Sequence, residues 1–577
     1  MAKDNKKRSP VVKPKASTSG LEVEKLNAEI ERLKKELKKR KKYGLVWEEK
    51  PEEVVEMCKK KLPVLKEVKN KEIITDKDRP VNLLIEGDNY HALSVLNYTH
   101  AKKVDVIYID PPYNTGAKDW KYNNDYVDIN DQWRHSKWLS FMEKRLKLAK
   151  HLLKRNGVLI CTIDKNEQAN LGVLLQEIFN KKEIVCVTII HNPGGIQGKN
   201  FSHTNEFAYF IHPLNGNYIS TIARDDVPPT AFRDWGKQSS KREAAKTCFY
   251  PIYIKDENII GFGEVCLDNF HPKSSNNIKK DGIIEVYPVD QKGIERKWRF
   301  GRETVEDIKD ELICKKVKGE YQILREKKDY RWKTVWTETK YNANVYGTKL
   351  LNNIIESKFP YPKSVYAVMD CIKAVIHDNK DSTILDFFAG SGTTGHAVME
   401  LNEIDKGQRK FILCTNNEDN NGEGTKIADD MCYPRIENVI KGYKGLLDGK
   451  KYQGLKGNLK YFRTAFVPAD PTDKNKTALT KKATDMLCVK EDTFEKVKSN
   501  EQYVIFGNKK RYTGIIYDHQ AIDDFKKEIA KIDGKFSVYV FSLGDDTFDE
   551  EFEDVKSKVK LSPIPEAILR VYRRIFK

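Results

Sequence analysis

Short apolar segments rich in β-branched residues alternate with helical segments along this chain, and the alternation restricts its fold more than any other feature. Before residue 191 the strand-like segments are 81–88, 104–110, 158–164 and 183–190, and the helical segments are 89–100, 138–157 and 166–180. Asn156-Gly157 is expected to end the second of these helices. The pattern resumes as strand, glycine loop and helix at 382–402 and as a strand at 409–416. Because buried parallel strands form continuous apolar runs, the sequence predicts an α/β fold with a doubly wound, mostly parallel sheet.

Composition excludes several classes of protein. No stretch approaches twenty apolar residues, so a membrane span is not expected, and the N-terminus lacks the apolar core of a signal peptide. The ten cysteines are scattered, and neither they nor the histidines have the spacing of a metal site. We therefore expect a cytoplasmic protein with reduced thiols and no metal.

The net charge of +18 suits a polyanionic partner such as nucleic acid. Residues 1–50 hold sixteen Lys and Arg against eight Asp and Glu, so +8 of the charge lies there. This segment fits a phosphate-contacting arm and a solvated tail equally well. Apolar residues spaced three and four apart within 21–42 predict a short heptad helix, either for a dimer contact or for packing on the protein itself.

The segment Asp110-Pro111-Pro112-Tyr113 follows a strand-like run and has the parts needed to activate an amino group on an aromatic base. The lone pair of that group is delocalised, so the nitrogen has to become tetrahedral before it attacks a methyl group. The Asp110 carboxylate and a carbonyl fixed by the prolines can hold its two hydrogens, and the carboxylate favours the developing positive charge. Tyr113 can stack on an extruded base. The bare tripeptide favours a rigid turn, whereas the longer IDPPYNTG favours this chemistry.

A glycine loop, DFFAGSGTTG at 386–395, lies between a strand and a helix. Gly390 and Gly392 let the backbone approach a ligand closely. The loop lacks the Gly-Lys-Ser/Thr ending of a phosphate-binding P-loop. With Gly395 it matches GxGxxG, so a nicotinamide-dependent oxidoreductase is an alternative on this motif alone.

Together the two loops resemble those of the β class of DNA amino-methyltransferases, which have a catalytic loop, a long insert and then a cofactor loop. Over about residues 21–445 the chain further resembles the modification subunits of type III restriction–modification systems. The segments that carry the likeness are YGLVWEEKPE (43–52), EGDNYHALSVL (86–96), IDPPYNTG (109–116), FPYPKSVYAVMDCI (359–372), DFFAGSGTTGHAV (386–398) and TNNEDN (415–420). The resemblance implies a Rossmann-like methyltransferase that uses S-adenosylmethionine.

The resemblance also implies roles for particular residues. Asp110 and the carbonyl of Pro111 would hold the target amino group within the loop that Pro112 and Tyr113 complete. The residues expected at the cofactor are Asp386, Phe388, Ala389, Gly390, Ser391, Gly392, Pro362, Lys363, Ser364, Asp88 and Glu418. Ser364 and Asp88 could instead be helix N-caps, and Asn416 competes with Glu418 for the cofactor ribose.

The pattern and the resemblance divide the chain into five parts. These are a basic tail with a short heptad helix at 1–44, a first catalytic part at 45–190, a target-recognition insert at 191–345, a second catalytic part at 346–450 and a C-terminal α+β region at 451–577, for partner or DNA contact. The candidates for DNA contact in the insert are Lys237, Lys241, Arg242, Arg296 and Arg299, together with Lys297 and Arg331. Taken singly, each of them is more often an exposed charge without a role than a DNA contact.

The sequence therefore predicts a DNA adenine-N6 methyltransferase that acts on a flipped-out adenine in double-stranded DNA. Asp at position 110 favours adenine over cytosine N4, the alternative within the class. A non-catalytic DNA-specificity subunit is an alternative from another class, although the intact loops argue against it. The resemblance makes a homodimer and a restriction subunit with helicase and nuclease activity plausible partners.

Overall fold

The computed structural model describes residues 29–32, 47, 51–115, 133–197, 200–224, 227–357, 359–417, 424–508, 511–546 and 548–576. Residues 29–32 are helical, and the rest of the predicted heptad helix lies outside the described residues. In the described part of the chain no helix is long and apolar enough to cross a membrane.

The described α-helices are α1 Glu53–Lys60, α2 Asn89–Thr99, α3 Arg134–Lys150, α4 Gln168–Ile178, α5 Arg302–Val305, α6 Leu350–Ile354, α7 Val365–Ile376, α8 Thr393–Asp405, α9 Tyr433–Lys441, α10 Asp473–Lys482, α11 Thr484–Glu491, α12 Ile522–Ala530 and α13 Glu566–Ile575.

The strands are β1 Lys61–Glu67, β2 Ile73–Ile74, β3 Val81–Glu86, β4 Val104–Ile109, β5 Leu153–Ile163, β6 Lys182–Ile190, β7 Ile196–Gln197, β8 Ser202–His203, β9 Asn205–Pro213, β10 Thr221–Ala223, β11 Thr230–Ala231, β12 Ile252–Lys255, β13 Asn258–Phe262, β14 Asn276–Ile278, β15 Ile284–Val286, β16 Leu312–Val317, β17 Glu320–Arg325, β18 Asp329–Arg331, β19 Val335–Trp336, β20 Thr383–Asp386, β21 Lys410–Thr415, β22 Gly442–Lys444, β23 Lys451–Gln453, β24 Asn458–Pro468, β25 Glu495–Ser499, β26 Tyr503–Gly507, β27 Tyr512–Ile516, β28 Phe536–Phe541 and β29 Val559–Ile564.

One large sheet has the strand order β1-β24-β3-β21-β20-β4-β5-β9-β6-β19, with β2 paired to β24. The six neighbouring strands from β24 to β5 are mutually parallel, whereas β9 runs antiparallel to both β5 and β6. Side chains alternate across it: Ile107 and Ile109 enter one apolar core, and Val106 and Tyr108 enter the other. A sheet buried on both faces in this way confirms the predicted doubly wound α/β fold.

The predicted end of the helix before β5 was wrong. Helix α3 ends at Lys150, and Asn156-Gly157 lies inside β5. The register between β4 and β5 shifts between Val104 and Val106. A Cβ at Gly157 would lie 3.0 Å from the carbonyl oxygen of Val104, so this glycine serves an irregular strand pairing and not a helix cap.

Three strands extend the sheet beyond the parts of the chain that the sequence assigned to it. Strands β9 and β19 belong to the predicted insert: β9 pairs with β5 on one side and β6 on the other, and β19 lies parallel to β6 at the sheet edge. Strand β24 belongs to the predicted C-terminal region, and it lies parallel to β3. The boundaries at 191 and 450 are therefore corrected: the sheet also takes in 205–213, 335–336 and 458–468.

The remainder of the insert builds small antiparallel sheets, β11-β17-β16 and β13-β12-β15-β14. It has its own core, in which Phe232 and Trp298 stack with ring centroids 5.4 Å apart. The last part of the chain forms a five-stranded mixed sheet, β25 to β29, which packs through α11 and α13 on the core beside α2. Both regions have buried interiors, and neither interrupts the parallel run of the large sheet.

Candidate active site

The carboxyl ends of four neighbouring strands, β3, β21, β20 and β4, meet at one edge of the large sheet. Crevices at this edge are where open α/β sheets bind ligands. The catalytic loop predicted from sequence follows β4, and the glycine loop follows β20. Because β4 and β20 pair directly, the fold brings together two loops that are about 275 residues apart in the chain.

The Asp-Pro-Pro-Tyr loop is held by hydrogen bonds on both sides. Trp138 of α3 donates its indole N–H to the carbonyl of Pro112 at 2.7 Å. The hydroxyl of Thr162 on β5 donates to Oδ1 of Asp110 at 2.8 Å, and the hydroxyl of Tyr113 donates to the same oxygen at 2.7 Å. The carboxylate is therefore fixed through one of its two oxygens.

Lys363 and Glu206 complete the surroundings of Asp110. The Nζ of Lys363 contacts Oε2 of Glu206 and the hydroxyl of Tyr113, and it lies 3.3 Å from Oδ1 of Asp110. The side chain of Glu206 is 4% exposed, and its Oε2 lies 3.3 Å from the Tyr113 hydroxyl. Sequence reasoning predicted Lys363 at the cofactor and missed Glu206, which β9 carries from the predicted insert.

These contacts shift the pKa values of the three charged groups. Burial raises the pKa of Asp110, and Lys363 offsets only part of that effect. Burial would also raise the pKa of Glu206, but Lys363 and His191 outweigh it and the pKa lies below its usual value. Burial opposes the charge of Lys363, yet Asp110 and Glu206 raise its pKa above the ordinary range of lysine. The site thus contains one cation between two carboxylates.

In the glycine loop, the carboxylate of Asp386 is tied to its own chain. Its Oδ1 accepts from the backbone N–H of Phe388 at 2.9 Å, and its Oδ2 accepts from the hydroxyl of Thr394 at 2.5 Å. Burial raises the pKa of Asp386 to about 7. This residue, predicted at the cofactor, therefore shapes the loop that enters α8.

The glycines of the loop have conformations or neighbours that exclude a side chain. Gly390 and Gly392 have φ values of +49° and +79°, in the left-handed region. A Cβ on Gly390 would lie 3.0 Å from Cζ of Phe359, and one on Gly395 would lie 2.7 Å from a carbon of Ile436. The first two glycines thus shape the turn, and the third lets α8 pack closely.

Other predicted loop residues are fixed by the framework. The backbone N–H of Ala389 donates to the carbonyl of Cys414 at 3.1 Å. The buried Arg435 donates to the hydroxyl of Ser391 at 3.2 Å. The ring of Phe388 packs at 6.0 Å from that of Phe141.

The segment 359–364 bridges the two loops. Phe359 lies against Gly390, whereas Lys363 reaches Asp110. Pro362 is buried, and its carbonyl lies so close to Gly347 that a Cβ there would clash. Ser364 is the N-cap of α7, as the structural alternative predicted, and its hydroxyl donates to the carbonyl of Lys340 at 2.7 Å.

Asp88 is also an N-cap, and its carboxylate accepts from the backbone N–H of Tyr90 at 2.7 Å. The buried Arg145 lies 3.5 Å from Asp88 and donates to Asn89 at 2.5 Å. Asn89 in turn donates to the carbonyl of Phe387 at 3.1 Å, so this network ties α2 and α3 to the glycine loop. Glu418 lies outside the described residues, and Asn416 is buried at the end of β21.

The predicted DNA-contacting side chains of the insert fall into three groups: bound within the fold, half-buried and exposed. Arg242 is 6% exposed, and its guanidinium donates hydrogen bonds to Glu295 and to three backbone carbonyls. The prediction of Arg242 as a DNA contact was therefore wrong, because its donors are used within the protein. Arg296 is bound to Asp290, Gly236 and Ser240, and Lys297 lies 3.7 Å from Asp234. Lys241 is half-buried. The exposed side chains are those of Lys237, Arg299 and Arg331.

In comparisons with known proteins, the family described as DNA methylase matches residues 104–420. The Mod subunit of the type III restriction-modification enzyme EcoPI, from Escherichia phage P1, is 31% identical over 408 residues, which are 62% of this chain and 61% of that protein. The chain thus spans about three fifths of that relative. The type II methyltransferase M.KpnI of Klebsiella pneumoniae is 32% identical over 349 residues, 57% of this chain and 79% of that protein. A crystal structure of an M1.HpyAVI–SAM complex aligns with 60% of this chain and 99% of its own, at 13% identity and a TM-score of 0.27.

Proposed function

The chain belongs to the DNA methylase family, and from that membership we propose that it transfers a methyl group from S-adenosylmethionine to a base amino nitrogen in double-stranded DNA, with adenine N6 as the target. The observation that carries the proposal is the one-sided fixing of Asp110. Three donors, from Tyr113, Thr162 and Lys363, converge on its Oδ1. Among the described residues none donates to its Oδ2, which is thereby available to a substrate.

The second acceptor is the carbonyl of Pro111. The neighbouring carbonyl of Pro112 is committed to Trp138, while no described side chain or backbone N–H donates to that of Pro111. An amino group that donates one hydrogen to Oδ2 of Asp110 and the other to this carbonyl is held with its lone pair directed away from both acceptors. The carboxylate favours the positive charge that grows on nitrogen and can take the proton that the nitrogen loses.

The glycine loop fits the proposed cofactor. S-adenosylmethionine supplies the methyl group from a sulfonium, and its methionine part needs a close approach to the backbone. Gly390 and Gly392 suit such an approach because both have positive φ values and no Cβ to hold a ligand away from the backbone. The hydroxyl of Thr415 at the end of β21 is buried without a hydrogen-bond partner among the described residues, so a polar ligand group at that strand end would satisfy it.

The remaining predicted residues have roles in this proposal. Phe388, Ala389 and Ser391 would line the same pocket, Pro362 and Ser364 would close it from the bridging segment, and Glu418 would hold the ribose. Tyr113 would stack on the flipped base. Asp386 and Asp88 would act through the loop conformations that they fix.

The insert would read the DNA, with Lys237, Arg299 and Arg331 as contacts because their charges remain exposed. Cytosine N4 is the alternative target, since the same two acceptors could hold its amino group. Similarity to the EcoPI Mod subunit supports a restriction subunit as a partner, and we also propose a homodimer, in which one copy could read DNA while the other methylates.

The test is methyl transfer from labelled S-adenosylmethionine to unmethylated genomic DNA, followed by digestion and identification of the labelled nucleoside. Label in N6-methyladenine with the wild type, and none with Asp110→Ala, is expected. Label in N4-methylcytosine would support the same mechanism but show that the target base is cytosine. A wild type that binds neither S-adenosylmethionine nor DNA and transfers no label would contradict the proposal.

A further inference from the structure

Lys363 and Glu206 form a buried ion pair against the catalytic loop. Their side chains are 10% and 4% exposed, and the Nζ of Lys363 contacts Oε2 of Glu206. The same Nζ lies 4.6 Å from the centre of the Tyr113 ring and contacts its hydroxyl. Two buried charges cost more desolvation than a surface pair, so a pair kept beside a reactive carboxylate calls for an explanation.

The position of the pair explains its relation to Asp110. Lys363 approaches Oδ1 of Asp110 to 3.3 Å from the segment before α7, while Glu206 holds Lys363 from β9. The lysine is therefore oriented by one carboxylate and directed at the other. Without Glu206, the same three donors would still be available for Oδ1, and Lys363 would be held by its contacts with Asp110 and Tyr113 alone.

We propose that Lys363, oriented by Glu206, is a positioning residue that keeps Asp110 charged and holds its Oδ2 toward the target amino group. The role rests on the proposed function, because the amino group is the substrate of that reaction. It differs from the cofactor contact that the sequence predicted for Lys363, since this lysine touches the catalytic loop and not the glycines.

The proposal has a directional consequence for the pH dependence of the reaction. Burial raises the pKa of Asp110, Lys363 lowers it and Glu206 raises it. An opposite charge at this distance typically changes a carboxyl pKa by about 1–3 units. The other titratable groups that interact with Asp110 are Tyr108, Tyr113, Cys161, His191 and Asp386. The two phenols and the thiol are uncharged except at alkaline pH, burial lowers the pKa of His191, and Asp386 can add only negative charge, so none of these groups replaces the positive charge of Lys363.

The experiment measures kcat/KM for DNA as a function of pH and compares the acid limb, the pH at which kcat/KM falls on the acid side. The proteins compared are the wild type, Lys363→Met, Lys363→Arg, Glu206→Gln and the double variant Lys363→Met/Glu206→Gln. We expect the limb of Lys363→Met to move to higher pH by about one unit or more, and that of Glu206→Gln to move to lower pH. Lys363→Arg should stay near the wild type. The double variant also removes the Glu206 charge, which raises the pKa of Asp110, so its acid limb should fall between those of the wild type and Lys363→Met.

A second readout needs neither DNA nor cofactor. The infrared band of a protonated carboxyl is followed with pH in each variant, and Asp110 is identified by the loss of that band when Asp110→Asn is added. The midpoint should move in the same order as the acid limb. If the wild type transfers no methyl group, this titration still tests the pair, so failure of the function and failure of the inference are distinguishable. Identical midpoints in wild type, Lys363→Met and Glu206→Gln, all folded by circular dichroism, would overturn the proposal.

Discussion

Two aspartates lie at the carboxyl ends of neighbouring strands of the large sheet, yet their surroundings differ: Asp386 is buried, whereas the side chain of Asp110 is 26% exposed. Asp386 gives both carboxylate oxygens to its own loop, to the N–H of Phe388 and the hydroxyl of Thr394. Asp110 is fixed through one oxygen and has a cation 3.3 Å away. Position in the fold therefore does not distinguish the carboxylate that shapes a loop from the one that we propose to be reactive. The difference lies in which oxygens the protein itself occupies, and whether a positive charge supports ionisation.

The largest effect expected from this comparison is on the rate of methyl transfer. Asp110→Asn keeps the shape of the side chain but removes the charge and presents an amide, so we expect kcat to fall by at least about 10²–10³-fold. Affinity for S-adenosylmethionine, measured by calorimetry, should change little.

Asp386→Asn is the matched control. It should weaken cofactor binding but retain a higher kcat than Asp110→Asn at saturating cofactor, because the carboxylate of Asp386 acts through the conformation of the glycine loop. Equal rate losses in the two variants, at saturating cofactor, would contradict the distinction between the two aspartates.

The second effect concerns stability and pH. The pKa of Asp386 is raised by burial to about 7 in the folded protein, so between its unfolded value near 4 and about 7 the folded state binds more protons than the unfolded state. Stability therefore decreases as pH rises through this window and is constant above it. The loss can reach about 4 kcal/mol, since one unit corresponds to 1.36 kcal/mol.

Thermal unfolding of the wild type and Asp386→Asn between pH 4 and 8 measures this effect. The difference between the two proteins should depend on pH in that window only. Parallel curves would mean that Asp386 is charged in the folded state, which would make it more like Asp110.

The third effect separates the glycines of the second loop. Gly390→Ala forces a side chain into a left-handed conformation, at a cost of about 1–2 kcal/mol, and its Cβ would meet Phe359. Cofactor affinity should fall about tenfold or more.

Gly395→Ala has ordinary backbone angles but would meet Ile436 at 2.7 Å. We expect it to lower the melting temperature and to leave cofactor affinity in the folded protein near the wild-type value. The reverse order of the two affinities would show that the close packing of α8, and not the turn, governs the ligand pocket.

The sequence predicted the positions of both aspartates because the signals for them are local. An apolar run followed by Asp-Pro-Pro-Tyr, and another followed by a glycine loop, place both aspartates at strand ends. Glu206 has no such signal: it enters the site only because β9 inserts between β5 and β6, where it pairs with Ile189. Likewise β24 joins the sheet from near residue 460, through a pairing that no local pattern specifies.

Side-chain roles were harder to predict than strands. Arg242 looked like a DNA contact because it is basic and lies in an aromatic, polar segment. Its burial depends on Glu295 and on the carbonyls of Cys266, Leu267 and Phe270, which are distant in sequence. The charge of a region can therefore be used to predict what kind of partner it binds. Which of its side chains make the contacts can be predicted only once the fold is known.

The smallest effect compares one threonine at each aspartate. Thr162 and Thr394 each donate a hydroxyl hydrogen to a carboxylate oxygen, at 2.8 Å and 2.5 Å, and each is buried. Replacement by Val removes the donor and nearly conserves volume, with an expected cost of about 1–2 kcal/mol.

At Asp110 two other donors remain on the same oxygen, so Thr162→Val should reduce kcat/KM only about fivefold and move its acid limb to higher pH. At Asp386 the hydroxyl is the partner of Oδ2, so Thr394→Val should lower the melting temperature and leave the acid limb in place. If the aspartates have different roles, Thr162→Val shifts the acid limb of kcat/KM and Thr394→Val lowers the melting temperature. An equal shift of the acid limb in both variants would contradict this distinction, because it would mean that both carboxylates control the same pH dependence.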